Sequence, residues 1–95
     1  MGISRRKSRP VTFAGLSYRF LVKQVRIPDE PDQAELCVTV QLDEPRPGKV
    51  LQFRLPYGFP VGPPGVQAVI AQALQAGWQP SSRGSPFVLN DFRYP

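Results

Sequence analysis

A chain of 95 residues suits one domain with a small core, because at this size folding hides only about 60 to 65% of the surface that the unfolded form exposes. With no histidine and one cysteine, the sequence lacks the commonest general base and transition-metal ligand, cannot close an internal disulfide, and cannot build a thiolate zinc cage. Four of its twelve basic residues, Arg5, Arg6, Lys7 and Arg9, stand within the first nine positions, so the net charge of +5 is chiefly a property of that end.

Residues 1–9 show no apolar periodicity and are expected to form a basic disordered tail, with a single α+β domain over 10–95. "VTF" predicts a short strand, Ala14 and Gly15 a tight turn, and "LSYRFLVKQVRI" a longer strand with Leu16, Tyr18, Phe20 and Val22 inward. "PDEPDQ" at 28–33 reads as a loop. "AELCVTVQLD" then alternates without error, placing Leu36, Val38, Val40 and Leu42 inward. After a turn at 44–48, "KVLQFRL" alternates again and completes a hairpin. "PYGFPVGPPG" interrupts regular structure, because proline removes ladder donors.

Pro64 suits the first turn of a helix whose stripe is Val66, Val69, Ile70, Ala73 and Leu74, with Gln67, Gln72 and Gln75 outside. Gly77 ends that helix in a left-handed conformation, and Trp78 folds back over its last apolar turn as a lid on the core. "QPSSRGS" is a turn, and "FVLNDF" a final strand. The resulting class is α+β: a four- to five-stranded, mainly antiparallel sheet with one C-terminal helix packed on one face.

"VQAVIAQALQAGWQP" followed by "RGSPFVLND" resembles a group of small uncharacterised bacterial proteins that end in an alanine-rich helix, a Gly-Trp pair, a proline and a Gly-x-Pro-Phe strand. The resemblance covers about a third of the chain. It implies an α+β domain with an accessory or immunity-like partner role, and it assigns no catalytic residue or cofactor.

Several residue groups offer binding chemistry. The tail cations Arg5, Arg6, Lys7 and Arg9, with Arg19, Lys23 and Arg54 on the outward face of the sheet, could neutralise phosphates in a small nucleic-acid-binding protein; the outward face lacks aromatic rings on which bases stack. Tyr57 and Phe59 in the stiff proline loop could anchor a protein partner, although capping the sheet end is the stronger reading for so small a core. Arg83 in "SSRGS" could face an anion, against the plainer reading as a turn. Asp29, Glu30, Asp32 and Glu35 lack the ligand spacing of a calcium loop, and Cys37 has no histidine to activate it.

These residues favour a non-catalytic binding module with no cofactor and no metal. Its partner is expected to be another protein or a second copy of the chain, with nucleic acid as the alternative. No apolar run reaches the roughly 20 residues of a membrane helix, so the expected location is the cytoplasm, without a membrane partner.

Overall fold

The computed structural model describes residues 6–43 and 48–95, with Pro31 by its backbone alone. Five strands form one sheet in chain order, β1 (Arg9–Phe13), β2 (Leu16–Ile27), β3 (Glu30–Leu42), β4 (Leu51–Pro56) and β5 (Phe87–Val88), with α1 (Pro63–Gln75) between the last two. The first four are antiparallel neighbours, whereas β5 runs parallel to β4. This is the α+β arrangement that the alternation predicts.

Local chemistry accounts for most element boundaries. Ala14 and Gly15 have φ of 52° and 79°, the pair of positive values that a two-residue turn needs to match strand twist. The helix opens with Pro63 and Pro64 in its first turn, where a missing N–H costs little. It closes as a Schellman motif: Gly77 has φ 111°, the Trp78 amide donates to the Ala73 carbonyl at 2.9 Å and the Gly77 amide to Leu74 at 3.3 Å. Val66, Val69, Ile70 and Ala73 are buried against the sheet face that carries Tyr18, Phe20, Val38, Val40, Leu51 and Phe53.

The structure departs from the sequence expectation in several places. The anticipated loop at 28–33 is a two-residue turn, Pro28–Asp29, followed by the single pair Ile27↔Glu30. Pairing resumes at Arg26↔Ala34, so residues 31–33 bulge out of a continuous strand. Residues 44–47 of the expected turn lie outside the described residues. The final strand stops at Val88, because the chain beyond it crosses to the helix side: the Gln72 side chain both donates to the Arg93 carbonyl and accepts from its amide, and the Gly62 amide donates to the Tyr94 hydroxyl at 3.1 Å. A Cβ at Gly65 would strike the Tyr94 ring, so only glycine seats that ring on the helix.

Leu16, expected inward at the start of β2, is 43% exposed. Gln67 and Gln72 depart as well. Expected to face solvent, they instead bond to the Thr12 and Arg93 backbones.

Ordering begins before Val11. Ser8 is buried under Arg19, whose guanidinium donates to its hydroxyl at 2.7 Å and its carbonyl at 2.8 Å, and Arg9 opens β1. Met1–Arg5 lie outside the described residues.

Trp78 lies within the core, 2% exposed, with its ring 5.9 Å from Tyr18 and its indole N–H donating to the Lys49 carbonyl at 2.9 Å. Burial also raises the Tyr18 phenol above its usual 10.0. The unfolded chain therefore loses this proton at lower pH than the folded one, and the stability that Tyr18 confers is full below about pH 10 and falls as pH climbs past it. Urea midpoints measured from pH 8 to 11 should show that decline, and Tyr18→Phe should flatten it.

Candidate functional site on the uncovered sheet face

Helix α1 and the segment after Asn90 both lie on one side of the sheet. The other side is built by the odd-numbered residues of β2 and β3 and the even-numbered residues of β4 and β5. The register aligns them in rows: Leu21, Thr39, Gln52 and Val88 form one, and Lys23, Cys37 and Arg54 the next. Val88 is 55% exposed, while Leu21, Cys37, Thr39 and Gln52 are half-buried. This face therefore has an apolar to neutral centre with cations beside it.

A hollow of about 270 Å³ opens here, lined by Glu35, Cys37, Gln52, Phe53, Arg54, Val88 and Asn90. That is below the roughly 300 to 1,000 Å³ of ordinary small-molecule sites. Arg54 reaches Glu35 at 3.5 Å, with both side chains well exposed. Such a surface pair contributes at most about 1 kcal/mol, so an incoming carboxylate or backbone carbonyl can replace Glu35 at small cost. Cys37 stands between Lys23 and Arg54 in the ladder.

The expected site residues are dispersed over the molecule. Arg5 lies outside the described residues, and Arg6 and Lys7 are exposed. Arg9 falls on the helix side, its guanidinium 4.8 Å above the Phe20 ring and donating to the Val61 carbonyl. Arg19, Lys23 and Arg54 share the uncovered face, but Arg19 is part-buried and holds Ser8.

Tyr57 is 63% exposed just past β4, whereas Phe59 packs edge-on against Tyr94 with ring centres 5.3 Å apart. Of the two proposed anchors, the sheet-capping reading fits Phe59 and the exposed reading fits Tyr57. Arg83 is exposed, and beside it the Ser82 amide and hydroxyl both donate to the Gln79 carbonyl, closing a turn. Asp29, Glu30 and Asp32 are exposed near the tip of the β2–β3 hairpin.

Gln52, Val88 and Asn90 escape a reading of the sequence as site residues. Alternation alone places Gln52 on the same face as Cys37, but the parallel pairing that brings Val88 and Asn90 to the same hollow leaves no local signal. Among the described residues, no helix is long and apolar enough to cross a membrane. Comparisons of the chain with protein-family models, curated proteins and solved structures returned no match.

Proposed function

We propose that the chain is a non-catalytic binding module that docks a partner protein on the uncovered side of its sheet. The observation supporting this reading is the asymmetry of the fold: among the described residues, α1 and the segment after Asn90 lie on one side, and the opposite side presents half-buried Leu21, Thr39 and Gln52 next to exposed Val88. An accessory or immunity-like role belongs to the same class. The nucleic-acid reading loses support because Arg9 and Arg19 are used within the fold.

Thr39→Arg separates the two readings by sign. A bulky cation in the middle of the face obstructs a protein partner, whereas one more positive charge strengthens phosphate binding. The immobilised native chain should retain a protein that Thr39→Arg fails to retain, with an unchanged circular dichroism spectrum. Tighter, steeply salt-dependent binding of a labelled oligonucleotide by Thr39→Arg, with no difference in retained protein, would replace the first reading by the second.

A further inference from the structure

Strand β4 loses its outer neighbour part-way along. The Phe87 amide donates to the Val50 carbonyl at 2.8 Å and the Leu89 amide to the Gln52 carbonyl at 2.9 Å. Even-numbered residues from Val50 onward therefore turn their peptide groups toward β5, and odd-numbered ones toward β3. Arg54 is next in that series. The chain beyond Asn90 leaves for the helix side, and among the described residues nothing bonds to the Arg54 N–H and C=O. The Pro56 carbonyl, one step further, already accepts from the Phe59 amide at 3.1 Å.

The hollow of about 270 Å³ opens at this place, and its lining is rich in donors. Arg54 engages Glu35 through one nitrogen at 3.5 Å, which leaves most of the five N–H groups of a guanidinium unused. The Gln52 and Asn90 side-chain amides bond to no other described residue. Glu35 is the one acid in the lining, and Lys23 stands in the row of Arg54. Acceptors are what this hollow lacks. An anion with two acceptor oxygens supplies them, and a planar carboxylate matches the fork of a guanidinium.

We propose that the hollow receives the C-terminal carboxylate of a partner protein. The inference rests on the protein-binding reading and names the part of the partner that enters. Seated beside Arg54, the carboxylate accepts from the guanidinium and from the Arg54 amide, and the last amide of the partner donates to the Arg54 carbonyl, as in strand addition. A segment running on along β4 would meet Asn90 and β5, whereas a chain end stops there. The volume is below that of ordinary small-molecule sites, which suits a terminal residue whose chain continues outside, with exposed Val88 beside its side chain. Residues 92–94 of this chain, or of a second copy, are already engaged on the helix side through Phe53, Gln72 and Gly62.

The probes are two heptapeptide pools, each randomised over its last four positions, one ending as the free acid and the other as the carboxamide. An equal mixture is passed over the immobilised native chain at physiological salt, and retained peptides are identified by mass spectrometry. The acid pool should be enriched about tenfold, the worth of one hydrogen bond to a charged group. Arg54→Gln should abolish that enrichment, whereas Arg93→Gln, which removes the same charge from an exposed residue on the helix side, should preserve it. Both should keep the native circular dichroism spectrum. Glu35→Gln removes the acid that competes for Arg54 and should raise the enrichment. Equal retention of both pools, no retention of either, or the same loss in Arg93→Gln as in Arg54→Gln overturns the proposal. So does acetylvaline that competes with the affinity of a selected peptide, because the occupant is then a small carboxylate. If the pools are retained alike while Thr39→Arg still loses a retained protein, the carboxylate assignment fails and the protein-binding reading stands.

Discussion

Replacing Trp78 with alanine is expected to lower the unfolding free energy by about 4 kcal/mol, a large share of the roughly 5 to 15 kcal/mol that holds a domain folded. The ring is 2% exposed, packs on Tyr18, and donates its indole N–H to Lys49 across 29 positions of sequence. Alanine leaves a cavity in a core that is small to begin with, and it leaves the Lys49 carbonyl without that donor. Trp78→Phe keeps most of the packing and should cost about 1 to 3 kcal/mol, mainly for the stranded carbonyl and the smaller ring. Urea unfolding followed by far-ultraviolet circular dichroism measures both without relying on tryptophan emission. Were Trp78 a ligand platform, alanine would change binding and leave the urea midpoint nearly fixed. A shift of a few tenths of a molar would contradict its place in the core.

The same residue shows what the sequence makes legible. A glycine that ends the helix and an aromatic residue just after it predict a fold-back, and the Schellman bonds from Gly77 and Trp78 deliver it. The alternation of 34–42 and 51–55 likewise assigns every inward residue of β3 and β4, because a period of two leaves a single choice of buried face. For the same reason Lys23, Cys37 and Arg54 are assigned to the uncovered side before their register is known.

Long-range polar bonds are where local pattern loses its hold. Gln67 and Gln72 look like solvent-facing helix residues by periodicity, yet their amides bond to backbone 55 and 21 positions away. Nothing in a helical repeat encodes that partner. Arg9 and Arg19 read as available cations, but one lies over Phe20 and the other orders Ser8. The parallel seating of β5 is invisible for a related reason: two residues are too few for a pattern, and their pairing depends on where α1 returns the chain. The prolines at 28 and 31 suggest an open loop, whereas the strand tolerates them through a turn and a bulge. Sequence thus identifies the faces of this sheet, and structure decides which charges on them remain available to a partner.

Gly48→Ala should be the other strongly destabilising change, at about 2 to 4 kcal/mol, because it forces apart two backbones that cannot yield separately. A Cβ at this position would collide with the Pro80 carbonyl oxygen and lie 2.9 Å from that of Ser82. Both obstacles are main chain, so no side-chain rotation relieves the clash. The contact closes the molecule at this end: the Lys49 amide donates to the Ser82 carbonyl at 2.7 Å, buried Gln41 donates to the Gly48 carbonyl at 2.8 Å, and Trp78 holds the Lys49 carbonyl. Moving residues 80–82 outward strains all of these bonds together. Trp78→Phe and Gly48→Ala should therefore combine to less than the sum of their separate costs, since the glycine change already loosens Lys49 from the indole. A double-mutant cycle in urea measures that coupling; full additivity would mean that the 80–82 turn yields without disturbing Lys49, and that the turn is not fastened to the core through this glycine.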